Sequence, residues 1–212
     1  MACSGVCSLG KNLMKLKFTD KGVIDYAECL DQMLSLIRTK PEGHEIWYLE
    51  HPSVFTIGIS EKKIKEDPNS MPPIYKTDRG GKITYHGIGQ IVFYFMLNLK
   101  KTPFKPSELT KKILVSTSDA ILGLGLKNNI SKSDPGLYVN GEKLASIGMR
   151  IKSNYSYHGI SLNHDVNLKE FNSINPCGLD VKACNLSKYI NIKQSKLAQK
   201  LKEAYTEMLK IK

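Results

Sequence analysis

Leu13 to Phe18 alternates apolar residues with lysine, the period-2 pattern of a strand with one buried face. Over residues 22–39 the period changes. Val23, Tyr26, Ala27, Leu30, Met33, Leu34 and Ile37 recur at helical spacing, and Pro41-Glu42-Gly43 ends the helix. Strands are predicted from Glu45 to Glu50 and from Val54 to Ile59, on either side of His51-Pro52. Residues 60–73 are charged and proline-rich and read as a surface loop. Lys82 to Tyr85 and Gln90 to Leu99 read as strands, the second an almost unbroken apolar run of the kind buried on both faces. Pro106 to Leu124 reads as a helix with Leu109, Ile113, Ala120, Ile121 and Leu124 turned inward.

Asn140-Gly141, set between alternating flanks, is the strongest short hairpin signal a sequence carries. Ser146 to Ile151 and Tyr155 to Asn163 are further strand candidates, Phe171 to Cys177 closes in an Asn-Pro-Cys-Gly turn, and residues 195–211 form an amphipathic helix. Strands in several blocks with three helices predict an α/β (α+β) fold, one domain with a mixed sheet flanked by helices. Residues 1–12 are expected to be a disordered leader and residues 13–212 a single catalytic domain.

Composition narrows the function. The 212 residues, 41% of them hydrophobic, suffice for one ordinary core. No apolar run is long enough for a membrane-spanning helix. Lysine and arginine total 31 against 20 acidic residues, a formal charge of +11, and only Arg38, Arg79 and Arg150 are arginine. Such an excess is either a set of solvated faces or the footprint of an acidic partner. Scarce arginine and no stacking motif argue against nucleic acid and leave an acidic carrier protein as the better match. The five cysteines are an odd number without a secretory pattern ahead of them, which predicts reduced thiols in a cytoplasmic protein. Cys3 and Cys7 have no histidine or second cysteine pair nearby, so no metal is expected there.

Three segments carry chemistry. Arg79-Gly-Gly-Lys-Ile-Thr-Tyr-His-Gly-Ile-Gly-Gln90 holds four glycines, which let main chain approach a ligand or simply make tight turns. In Gly141-Glu-Lys-Leu-Ala-Ser-Ile-Gly148, Lys143 follows the hairpin turn by two residues, and on its own it reads as a solvated edge-strand charge. In Ile174-Asn-Pro-Cys-Gly178, proline and glycine put Cys177 in a turn, where a thiol faces either a cleft or the interior.

In order and wording these segments resemble the lipoyl(octanoyl) transferase family, a branch of the biotin/lipoate protein ligase fold. The resemblance runs from about Leu13 to Leu186 and takes in His51-Pro-Ser-Val-Phe-Thr-Ile-Gly58, Tyr157-His-Gly-Ile-Ser-Leu-Asn163 and Phe171-Asn-Ser-Ile-Asn-Pro-Cys-Gly178. It departs from the family at Ile88, where proline is usual, and in the Lys/Asn-rich stretch from Asn185 to Lys193.

The resemblance implies transfer of an octanoyl (or lipoyl) group from acyl carrier protein to a lysine of lipoyl domains. The acceptors would be 2-oxoacid dehydrogenase E2 subunits and glycine cleavage H protein. Cys177 would carry the acyl thioester and Lys143 would lower its pKa. Arg79, Gly80, Gly81, Lys82, Ile83, Thr84, Tyr85 and His86 would line the acyl site with Ser146, Ile147, Gly148, Gly159, Ile160 and Ser161. No cofactor, metal, nucleic acid or membrane is implied, and a monomer is expected.

The chemistry fits those residues. A thiol splits thioester-to-amide transfer into two easier steps and needs no ATP. A free cysteine, with a pKa of about 8.5, is mostly protonated at neutral pH without help, which a nearby lysine supplies. The rival of the same fold is an ATP-dependent lipoate ligase, which needs no cysteine nucleophile. A remoter rival is a basic nucleic-acid-binding module.

Overall fold

The computed structural model describes residues 15–173 and 181–210. Its elements are, in chain order, β1 (Leu16–Val23), α1 (Tyr26–Arg38), β2 (His44–Glu50), β3 (Val54–Ile57), β4 (Ile74–Lys76), β5 (Ile83–His86) and β6 (Gln90–Met96). There follow α2 (Leu109–Leu122), β7 (Asn129–Ile130), β8 (Gly136–Val139), β9 (Glu142–Lys152), β10 (Tyr155–Asn163), α3 (Leu168–Ser173) and α4 (Gln194–Leu209).

Seven strands form one sheet in the order β1-β2-β6-β10-β9-β8-β7. Only β1 and β2 run parallel in it, joined by α1, so the sheet is mixed. A smaller sheet, β4-β3-β5, lies beside it. The unbroken apolar run of β6 follows from its central place. Ile91, Phe93 and Phe95 face α2 and α4, where both phenylalanines meet the Tyr205 ring edge-on at 5.1 and 4.9 Å. Val92, Tyr94 and Met96 face the opposite layer, built with Cys29, Met33 and Ile37 of α1. A third cluster, including Phe55, Ile57, Ile83, Tyr85, Phe171 and Ala183, backs the small sheet.

Local signals account for most boundaries. The helix expected over 22–39 starts only at Tyr26, because β1 continues to Val23 and Asp25 caps the helix, accepting from the Ala27 and Glu28 amides at 2.8 and 3.2 Å. Asn140 and Gly141 have φ of 51° and 83°, the type I′ hairpin the sequence predicts. The flank that follows Asn140-Gly141 and the strand candidate Ser146 to Ile151 are one eleven-residue strand, β9. The helix expected from Pro106 opens as a 3₁₀ turn and ends at Leu122, and the last helix runs from Gln194 to Leu209. Three short elements had no pattern to reveal them, the three-residue β4, the two-residue β7 and the six-residue α3, which covers Phe171 to Ser173 of the segment read as closing in a turn. The expected leader, Leu13 and Met14, Cys3 and Cys7, and the Asn-Pro-Cys-Gly turn with Cys177 lie outside the described residues.

One expectation is corrected. Lys143 is not an exposed edge charge; it is 6% exposed. Its strand β9 is interior to the sheet, with β8 on one side. On the other side the Lys143 amide donates to the Lys182 carbonyl at 2.8 Å, and its carbonyl accepts from Cys184 N–H at 3.0 Å.

Candidate active site

A cavity of about 230 Å³ opens between the small sheet and the middle of the large one. Its walls come from the 79–82 turn, β5, β9 and β10, with Val92 and Tyr94 of β6 and Tyr26 of α1. The turn lies directly on β9, where the Gly80 amide donates to the Met149 carbonyl at 3.0 Å. That approach needs glycine at position 148. A Cβ there would sit 2.8 Å from the Gly80 carbonyl oxygen and 3.0 Å from Arg79 Cδ.

Of the residues singled out from the sequence, Arg79 to Thr84 and His86, Lys143, Ser146 to Gly148, and Gly159 to Ser161 all line this cavity. Segments separated by more than sixty residues of chain meet here because β5, β9 and β10 converge on it. Tyr85 does not line it. Strand alternation turns its ring the other way, onto Phe55 and Phe171, with its hydroxyl 2.9 Å from that of Ser53.

Arg79 is buried, and its hydrogen bonds among the described residues go to neutral oxygens. Nε and Nη2 donate to Thr56 Oγ1 at 3.2 and 2.8 Å, and Nη2 also to the Thr56 carbonyl. Nη1 donates to the Gly80 carbonyl at 3.0 Å. Burial lowers its pKa from the ordinary value, yet a guanidinium keeps its proton in proteins. A fixed positive charge with no hydrogen-bonded carboxylate among the described residues therefore stands at the cavity wall. It suits a ligand that brings an electron-rich oxygen.

Behind it the imidazoles are neutral. Burial pushes His86 down to about 3 and His51 down to about 4. Gln90 donates through Nε2 to the Tyr85 carbonyl and Asn163 Oδ1, so its Oε1 faces His86 and accepts from Nδ1–H at 2.7 Å. His51 Nδ1 lies 2.7 Å from the Ile24 carbonyl and must donate to it. Its Nε2 is left to accept from the Tyr94 hydroxyl at 2.8 Å.

His158 on β10 is buried in the left-handed region at φ 62°, rare for a residue with a side chain. Burial lowers its pKa, so Nε2–H donates to Asp78 Oδ1 at 2.9 Å. That hydrogen bond, with one from Tyr157, holds the Asp78 carboxyl down at about 2.

Lys143 enters from β9 with Nζ 2.7 Å from Asp134 Oδ2, the two side chains 8% and 15% exposed. Tyr138 donates to the same carboxylate oxygen at 2.6 Å. Asp134, His158, Tyr26 and Tyr94 were not singled out from the sequence, though all line the cavity. His158 sits inside the Tyr157-His-Gly segment, while Asp134 had only its position before Pro135-Gly136 to mark it.

The described cysteines have no place in the site chemistry. Burial pushes the Cys29 thiol up to about 12 and Cys184 up to about 11, so neither supplies thiolate at neutral pH. Among the described residues no group of three or more His, Cys, Asp or Glu side chains could hold a metal ion. No described helix is long and apolar enough to cross a membrane.

Residues 25–206 match the lipoyl protein ligase A/B catalytic domain. An octanoyltransferase of Marinomonas sp. (strain MWYL1) is 39% identical over 193 residues, covering 87% of this chain and 90% of that relative. Another, from Francisella tularensis subsp. novicida (strain U112), is 38% identical over 195 residues, covering 88% and 91%. Among solved structures, lipoate-protein ligase A bound with ATP aligns at a TM-score of 0.76 over 92% of this chain and 85% of that one. At 11% identity that likeness concerns the fold alone. The same holds for a biotin protein ligase from Aquifex aeolicus in complex with biotin and ATP, at a TM-score of 0.54 and 14% identity, covering 92% of this chain and 69% of that one.

Proposed function

The chain belongs to the lipoyl protein ligase A/B catalytic domain family, and from that premise we propose that it transfers an octanoyl group from acyl carrier protein to a lysine of a lipoyl domain. The observation that carries the proposal is the 39% identity to an octanoyltransferase along nine tenths of that relative's length. A cavity walled by apolar Val92, Ile147, Met149 and Ile160, with a buried lysine amine and a guanidinium at its polar side, suits an acyl chain and its carbonyl.

In this proposal Cys177 is the nucleophile and Lys143 its proton partner. Cys177 precedes Lys182 by five residues, and the Lys182 carbonyl is bonded to the Lys143 amide; this nearness along the chain supports the pairing. The Cys177 thiolate would attack the thioester and Lys143 would protonate the departing thiol. The neutral Lys143 amine would then take the proton from the acceptor lysine as its amide forms. The Arg79 guanidinium and the main chain of the 79–82 turn would hold the acyl carbonyl. The remaining lining residues, Lys82, Ile83, Thr84, His86, Ser146, Gly148, Gly159 and Ser161, would shape the acyl site. The acceptors would be E2 subunits of 2-oxoacid dehydrogenases and glycine cleavage H protein, met by a cytoplasmic monomer.

The test is transfer from octanoyl-acyl carrier protein to a lipoyl domain in buffer without ATP. Product should form, and without acceptor one octanoyl group should load on Cys177 and be released by hydroxylamine. Dependence on ATP, or full-rate transfer by Cys177→Ala, would overturn the proposal. The first outcome would favour a ligase that activates a free acid.

A further inference from the structure

Asp134 lies between β7 and β8, and its carboxylate oxygen takes both Lys143 Nζ, at 2.7 Å, and the Tyr138 hydroxyl, at 2.6 Å. Tyr138 and Lys143 are cross-strand partners, beside a register shift between Leu137 and Tyr138. The path of the lysine is built into the strand. A Cβ at Gly136 would come within 3.0 Å of Lys143 Cε and 2.5 Å of the Ala145 carbonyl, so only glycine lets the stem lie there. An ammonium has three donors, of which this carboxylate takes one. Asp134 and Lys143 both stand on the cavity wall.

We infer that Asp134 is the positioning residue for Lys143, holding its amine at the cavity wall where, as ammonium, it returns a proton to the leaving thiolate. This rests on the proposed Cys177–Lys143 chemistry. In the first half-reaction the Cys177 thiolate bonds to the carbonyl carbon, the donor's carbon–sulfur bond breaks, and the ammonium gives its proton to the departing sulfur. In the second, the acceptor's neutral amine bonds to that carbon, Cys177 leaves as thiolate, and the Lys143 amine takes the acceptor's proton. Asp134 exchanges no proton in either half. It opposes the ammonium charge whenever Lys143 holds its proton, through a charge-assisted bond between two nearly buried side chains.

Among the described residues, the other groups near this pair include Tyr138 from β8, Cys184 from the 181–185 segment, and Arg79, Lys82, His86 and His158 on the cavity lining. Glu142, next to Lys143 in sequence, is engaged by Lys188 at 2.6 Å. Burial keeps both imidazoles neutral and Cys184 protonated up to about 11, so these three leave the field at Lys143 unchanged around neutrality.

The experiment is single-turnover loading of Cys177 from octanoyl-acyl carrier protein across pH, read by mass spectrometry, with thermal melts alongside. Asp134→Asn should load on the order of 10–100-fold more slowly, and the alkaline limb of its profile should move to lower pH. Asp134→Glu should restore the limb and part of the rate. Tyr138→Phe, which removes one hydrogen bond from the carboxylate without changing either charge, should load several-fold more slowly with the limb in place. A folded Asp134→Asn variant with the wild-type limb, or a uniform drop that tracks only the melt, would leave Asp134 a structural residue and overturn the inference. Should Asp134→Asn fail to fold, wild-type loading by Tyr138→Phe overturns it equally. Full-rate transfer by Cys177→Ala would instead remove the underlying chemistry, and the inference with it.

Discussion

Replacing Lys143 with alanine should weaken the fold as well as abolish transfer. The amine and the Asp134 carboxylate are 2.7 Å apart with side chains 8% and 15% exposed, so the substitution leaves a nearly buried carboxylate without its cation. Breaking a buried pair from one side costs about 3–5 kcal/mol, and the residual exposure of Asp134 and its Tyr138 hydrogen bond favour the lower end, about 3 kcal/mol. For a domain of this size that is a fall in Tm of about 6–12 °C. Urea denaturation and thermal melting should both record it. The double variant Lys143→Ala/Asp134→Ala should lose about 2 kcal/mol less than the two single losses added together. Lys143→Arg separates stability from chemistry. The guanidinium can still pair with Asp134, so stability should stay within about 1 kcal/mol of wild type, while transfer fails because Arg does not release a proton at working pH. A loss below about 1 kcal/mol in Lys143→Ala with no coupling to Asp134 would refute the account of a sealed pair. Near-normal turnover by Lys143→Arg would leave the lysine a charge role only.

Acid should loosen the fold through His51 and His86. Their folded pKa values, about 4 and about 3, lie below the unfolded value of about 6.5, so the unfolded chain binds more protons once pH drops below 6.5. Their contribution is whole above about 6.5 and is lost as pH falls toward the folded values, by about 2–3 kcal/mol per imidazole near pH 4; an unchanged urea midpoint between neutral pH and pH 4 would refute it. Gly148→Ala should push the 79–82 turn off β9, because the new Cβ meets the Gly80 oxygen at 2.8 Å. A stability loss of about 1–3 kcal/mol and a raised KM for the acyl donor are expected, and wild-type values for both would show that the turn yields freely. Association with acyl carrier protein should weaken as salt rises, since a chain of +11 meets an acidic partner; an affinity flat between low and physiological salt would mark the lysines as merely solvated.

Patterns confined to neighbouring residues were legible in the chain itself. The hairpin at Asn140-Gly141 follows from backbone preferences of two residues, and the double burial of β6 follows from its unbroken run of apolar side chains. The glycine-bearing segments that line the cavity could be chosen from their wording because their order along the chain resembles a family. Contacts between distant segments were not legible. β4 and α3 are too short to show a period. Lys143, two residues past a hairpin turn, reads as an edge charge until Lys182 and Cys184 pair with its backbone on one side. Asp134 looks like any acidic residue before a Pro-Gly turn until β8 carries Tyr138 alongside Lys143 and closes all three on one carboxylate. Side-chain periodicity reports which face a residue takes within its own element. Whether that face meets water or another strand, and what charge it finds there, is decided only when the sheet assembles.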